Sequence, residues 1–212
     1  MRTAEELTDK LSEERIWRVK EISTVSNLAS RSRMSPVETD FYCRAGSALF
    51  YAHWEGFVKR AATHYLKYIS YQRISLDEMA DFVMCLYMRQ NLGEANSSSP
   101  AQIIKVTQQL QDSARYNPKL NWKNVIDTQS NLSSNVLKKI MLQLGFDYSF
   151  YATRAAIIDG KIVKHRNAVA HGEKGEVDLA ILQEIGFEVI SLITLFKDLI
   201  ENSVTLKSYR KI

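Results

Sequence analysis

Over 212 residues the chain carries only three prolines and eight glycines, and between these breakers its apolar side chains recur at three- and four-residue spacing instead of alternating. That spacing lines one face of a helix, whereas on a strand it would scatter apolar groups over both faces. An all-α fold is therefore expected. A first helix reads over about residues 4 to 29, with Leu7, Leu11, Trp17, Val19 and Ile22 among its apolar positions. After a break at residues 30–36, a long second helix runs from about Val37 to Ser70. In it Phe41, Ala45, Ala48, Ala52 and Gly56 form a stripe of mostly small side chains that permits close helix packing. Ser75 and Glu78 have capping-box spacing and open a third helix ending near Leu92, before Gly93. Residues 94–99 read as a polar loop. Pro100 suits a first helical position and starts a helix to about residue 114, followed by a connection containing Trp122. Further helices read over about 133–144, stopped by Gly145, then 150–170, with Gly160 a point where that helix can break, and 177–206.

The length suits one compact domain over residues 1–212, and no repeat of solenoid period is visible. A composition 45% hydrophobic and 25% charged is that of an ordinary globular chain. The early residues Glu5, Glu6, Asp9 and Lys10 fit no signal peptide, and no run of 18 apolar residues is seen, so a cytoplasmic protein without membrane contact is expected. Cys43 and Cys85 are isolated, with no CxxC pair or clustered histidines. Neither a disulfide framework, a metal site nor any other cofactor is expected, and both thiols read as buried.

A net charge of +4 permits nucleic-acid contact without demanding it. Its distribution says more. Lys and Arg outnumber Asp and Glu ten to four over residues 98–170, then trail five to seven over 171–212. Within the basic stretch lies Arg166-Asn-Ala-Val-Ala-His171, preceded by Lys161, Lys164 and His165. A guanidinium binds two phosphate oxygens through its planar fork and stabilises charge that develops on them. A histidine can take the ribose 2′-hydroxyl proton or give one to the leaving 5′-oxygen. Asn167 can orient either partner. On a continuous helix these two side chains would stand about 140° apart, so the helix is expected to end at residue 170 or 171, with Gly172 turning the chain back. The bland alternative is a helix-end histidine satisfying terminal carbonyls.

Elsewhere, Glu55 and Lys59 have the spacing of an ordinary surface ion pair. His53 and His64 read as packing or surface residues. Tyr65, Tyr68 and Tyr71 have core spacing, although aromatic rings in series can also stack unpaired bases. The tail residues Lys207, Tyr209, Arg210 and Lys211 read as a solvated end.

The run from Arg166 to Glu173 closely resembles the arginine–histidine signature of the HEPN superfamily, in which a polar residue such as Asn167 commonly follows the arginine. On the second helix, Glu55, Lys59 and Arg60 resemble the Glu-x-x-x-Lys-Arg element of a prokaryotic defence-associated, MAE-type branch. The resemblance implies a HEPN-like bundle of four or five core helices plus additional ones, dimerised so that two motifs share a cleft. It further implies metal-independent RNA cleavage, leaving 2′,3′-cyclic phosphate and 5′-hydroxyl ends. Arg166 and His171 would be catalytic, Asn167, Glu55, Lys59 and Arg60 would support them, and Lys161, Lys164 and His165 would bind RNA. A toxin or effector role in a defence system is implied too, with an antitoxin or a ParB-like nuclease or NTPase protein as partner. Two competing readings are a HEPN-like module that binds RNA, nucleotide or protein without catalysis, and a structural helical adaptor.

Overall fold

The computed structural model describes residues 1–31, 33–93 and 99–211. Part of the expected break at 30–36, most of the expected loop at 94–99, and residue 212 lie outside them. Among the described residues the chain is helical with no strand. Three long helices form its centre: α1 (Ala4–Ala29), α2 (Pro36–Gln72) and α9 (Leu179–Thr205) pack on one another. They approach closely at Gly46, where a Cβ would meet Leu182 and Val25 at 2.9 Å. Each begins at a side-chain cap. Thr3 and Asp178 accept backbone N–H groups of α1 and α9, and Ser35 forms a reciprocal box with Glu38 ahead of Pro36.

The core is aromatic. Trp54, Phe50, Phe57 and Tyr65 of α2 are fully buried with Phe196 of α9 and Tyr151. Buried phenols find partners, the Tyr65 hydroxyl with Ser203 Oγ at 2.6 Å and Tyr151 donating to the Leu192 carbonyl at 2.9 Å. On α1 the buried position between Trp17 and Val19 belongs to Arg18, while Trp17 is exposed. Among the described residues one helix, α9, reaches the length and mean hydropathy (1.8) needed to cross a bilayer, although its sequence showed no unbroken apolar run. Its apolar face is the one packed on α1 and α2.

The remaining helices are short: α3 (Asp81–Leu92), α4 (Pro100–Gln111) and α5 (Ser134–Gln143). The Ser75–Glu78 box forms, but it caps a single 3-10 turn (Leu76–Glu78), so α3 starts later than its sequence signal. Gly145 ends α5 at φ 71, and a Cβ there would also strike the Phe82 ring at 2.4 Å. The tail is not a solvated end. Tyr209 is buried, Lys211 N–H donates to the Glu78 carbonyl at 2.8 Å, and Arg210 pairs with Glu78 at 3.2 Å.

The expected helix over 150–170 is in pieces: α6 (Ser149–Ala152), α7 (Ala155–Ile157), a π-helical segment (Ile158–Val163) and α8 (Lys164–Ala170). Gly160 thus widens the helix instead of ending it. Asp159 in the widened turn accepts from the Ser134 N–H at 2.8 Å, tying this segment to the start of α5. Each π turn shifts every later side chain around the axis, so the direction of Arg166 depends on it.

Candidate active site

Arg166 lies half-buried on α8, which packs against α2. Its guanidinium carbon sits 4.4 Å from the centre of the Tyr51 ring, a cation–π contact worth about 0.5 to 2 kcal/mol. Nη1 donates to Asn167 Oδ1 at 2.7 Å, and Nη2 donates to the Ser130 carbonyl. Every one of these partners is neutral. Of the five N–H bonds of a guanidinium, the remainder stay available to an anion.

Tyr51, one turn before Glu55 on α2, is 2% exposed, and its hydroxyl accepts the Leu132 N–H at 2.7 Å. Burial pushes its pKa up to about 12, with the neighbouring Glu55 carboxylate adding to the rise while the Leu132 N–H and Arg166 oppose it. The phenol is therefore neutral near pH 7, with the Glu55 carboxylate in its surroundings. Ser130 and Leu132 belong to the turn before α5, where Gln129 and Ser130 hold left-handed φ values of 54 and 51. Two such residues without glycine cost about 1 to 3 kcal/mol each. The Tyr51 hydroxyl on the Leu132 N–H and Arg166 on the Ser130 carbonyl hold that turn in place. The sequence reading missed Tyr51, Ser130 and Leu132; an aromatic one turn before Glu55 was the only local signal.

His171 caps α8 and is exposed. Its N–H still bonds to the Asn167 carbonyl at 2.9 Å, and the chain turns only afterwards, with Gly172 at φ 71. Glu173 N–H to the Ala168 carbonyl and Gly172 N–H to the Val169 carbonyl complete a Schellman motif. The helix ends where expected, but the left-handed step falls after the histidine. Among the described residues no hydrogen bond, ion pair or ring contact joins Arg166 to His171 directly.

The other expected residues divide. Glu55 faces the site through Tyr51, and no ion pair ties it to Lys59, which is exposed. Arg60 points away: it pairs with Glu14 of α1 at 3.2 Å. Lys161 pairs with Glu184 of α9, Lys164 is exposed, and the half-buried His165 has its pKa lowered by burial and by Lys164 and Lys161. His53 is buried against Glu21 (3.0 Å) and the Trp17 ring, as a packing residue should be. Cys43 is buried and its thiol is pushed up by burial, Asp178 and Asp40, whereas Cys85 is exposed, contrary to expectation.

The small-residue stripe of α2 is only partly covered among the described residues: Ala48 and Gly56 are half-buried, with Gly56 facing the Arg18 guanidinium, while Phe41, Ala45 and Ala52 are exposed. Phe41 is 64% exposed, and Val37, one turn before it, is 78% exposed. No residue of α8 is buried either.

The described residues form an all-α bundle in which an arginine with only neutral partners and an exposed histidine lie on one short helix ended by Gly172. More closely, the family model described as MAE_28990-like HEPN matches residues 7–209, and the chain belongs to that HEPN family. No curated protein and no solved structure matches the chain. Family membership supports a HEPN-type nuclease or RNA-binding module.

Proposed function

We propose that the protein is a metal-independent endoribonuclease that works as a twofold dimer inside the cell. The observation that carries this reading is the placement of Arg166, held by a ring and two neutral acceptors while its charge stays uncompensated, five residues before an exposed histidine. Arg166 binds the scissile phosphate and stabilises the charge of the pentacoordinate state. A histidine removes the 2′-hydroxyl proton as that oxygen attacks phosphorus, and a second protonates the departing 5′-oxygen. The P–O5′ bond breaks, leaving a 2′,3′-cyclic phosphate and a 5′-hydroxyl.

Each chain offers one His171, and in-line transfer benefits from a proton acceptor and a proton donor on opposite sides. A second copy supplies the missing group. The exposed Val37, Phe41, Ala45 and Ala52 of α2, the helix on which α8 packs, offer apolar surface for such a dimer. A role as toxin or effector, restrained or directed by an antitoxin or a ParB-like partner, accords with the defence-associated branch.

The test is incubation of the purified protein with total RNA and tRNA in EDTA, beside His171→Ala, with analysis of end groups and of solution mass. The reading expects cyclic-phosphate ends, no cleavage by the variant, and a mass twice 24.3 kDa. A requirement for added divalent metal, or a 24.3 kDa mass in an active preparation, overturns it.

A further inference from the structure

The connection between α4 and α5 lies against the C-terminal half of α2, where Ser70 Oγ donates to the Leu120 carbonyl at 2.6 Å. Gln90 of α3 brackets Asn121, donating to its carbonyl and accepting its N–H at 3.0 Å. Two adjoining concavities result, sharing Asn121 and Lys123. One of about 390 Å³ is lined by Tyr71, Lys119 and Trp122, and one of about 210 Å³ by Arg89, Gln90 and Asn124. No carboxylate is among the described residues that line either. By contrast, the concavity beside Cys43 contains Asp40, Glu176 and Asp178, and that beside His64 contains Glu6, Asp9 and Glu13.

The groove joins cations to flat rings. Lys119 and Lys123 are exposed and make no ion pair among the described residues, and the ammonium groups of Lys67 and Lys123 lie 5.1 and 5.8 Å from the Trp122 ring centre. Of the three tyrosines in series on α2, Tyr65 and Tyr68 are core residues, but Tyr71 is 38% exposed and opens onto the groove.

We propose that this groove is a binding site for single-stranded RNA, separate from the cleavage site: Tyr71 and Trp122 stack unpaired bases, and Lys119, Lys123 and Arg89 hold phosphates. Paired rings beside unneutralised cations suit a strand with splayed bases. A duplex keeps its bases stacked inside, and an acidic peptide would use the charge but not the rings. The proposal rests on the ribonuclease reading only for the identity of the strand as RNA. Position supports a shared strand. Lys67 and Tyr51 stand about 24 Å apart along one helix, and at most about 25 Å of extended chain separates Lys123 from Ser130, whose carbonyl holds Arg166. One strand can rest in the groove while a phosphate further along reaches Arg166.

The experiment measures binding of a labelled, unstructured oligouridine by anisotropy in the His171→Ala protein, which leaves the RNA uncut. Groove variants are Tyr71→Ala, Trp122→Ala and the double change Lys119→Ala with Lys123→Ala. Either aromatic change should weaken binding about 5- to 150-fold, and the double change should flatten the slope of log K against log salt by about 1.4. Trp122 is half-buried, so circular dichroism checks its variant; Tyr71 and the two lysines carry the test if that variant unfolds. With His171 restored, the groove variants should cleave a dinucleotide, too short to reach the groove, at the wild-type rate. Unchanged affinity in folded Tyr71→Ala and in the double-lysine variant overturns the proposal. So does equal weakening toward duplex RNA, or displacement of the oligouridine by polyglutamate at equal charge. Loss of RNA binding in groove variants of a protein that cleaves nothing would sink the ribonuclease reading and leave the groove standing.

Discussion

Arg18 and Arg166 both rest on aromatic rings at the faces of α2, yet only Arg18 has an acidic partner. Arg18 is 2% exposed, with its guanidinium 4.3 Å from the Trp17 ring and 5.7 Å from Phe57, and it is paired with Glu14, whose carboxylate and carbonyl both accept from Nη1 while Nε is buried without a partner. Burial works against ionisation of Glu14, but Arg18 and Arg60 outweigh it and hold its pKa below the usual carboxylate value. Arg166 sits as close to its ring, but among the described residues its polar and ring partners are a carbonyl, an amide oxygen and the Tyr51 ring, none of them acidic. The first arginine is neutralised and cements α1 to α2. The second keeps its charge at the surface, which is the condition for attracting a phosphate.

The comparison is easiest to break through stability. Arg18→Ala should cost about 3 kcal/mol in chemical denaturation, at the low end for a broken buried pair because Arg60 still reaches Glu14. Arg166→Ala should cost about 1 kcal/mol, the scale of a cation–π contact and a hydrogen bond. Equal losses would mean that Arg166 is structural as well. Arg166→Lys sharpens the point: the charge remains but the two-pronged fork is lost, so cleavage should fall about 100-fold while affinity for RNA changes far less. Steady-state kinetics set against binding isotherms separate the two.

Tyr51→Phe addresses the ring and the hydroxyl separately. The cation–π contact survives, but Leu132 N–H loses its acceptor, a local cost of about 1 to 3 kcal/mol. Hydrogen exchange at Leu132 should speed up and cleavage should fall. Normal protection at Leu132 would show that the left-handed turn stands without Tyr51. The smallest effect concerns acid. Burial lowers the pKa of His53, His64 and His165 below 6.5, so the folded state binds fewer protons than the unfolded chain in that range. Stability conferred by these neutral rings is complete above pH 6.5 and is lost as pH falls through their folded values. Melting temperature should decline by a few degrees on acidification, and a flat profile would contradict the assignment.

How much of this was legible depends on range. The long helices, the Ser133 and Pro100 starts and the Gly172 turn follow from local periodicity and cap chemistry, and the structure has them. Arg166, Asn167 and Glu55 were also legible, as members of a local motif. The rest depends on contacts between distant segments. Nothing local signals the left-handed Gln129 and Ser130, because neither is glycine and the turn is held by Tyr51 and Arg166. Arg60 follows Lys59 in sequence but is drawn to Glu14 of another helix. The tail looked solvated because its buried anchor, Tyr209, packs on Tyr68, far back in the sequence.

The most direct test of the central claim, an uncompensated Arg166 that grips phosphate beside a His171 that moves protons, is paired measurement of binding and cleavage of one RNA by Arg166→Ala and His171→Ala. The account predicts that His171→Ala binds RNA nearly as wild type does while its cleavage rate falls about 10²- to 10⁴-fold, and that Arg166→Ala loses both. Equal cleavage by wild type and a folded His171→Ala protein would contradict it.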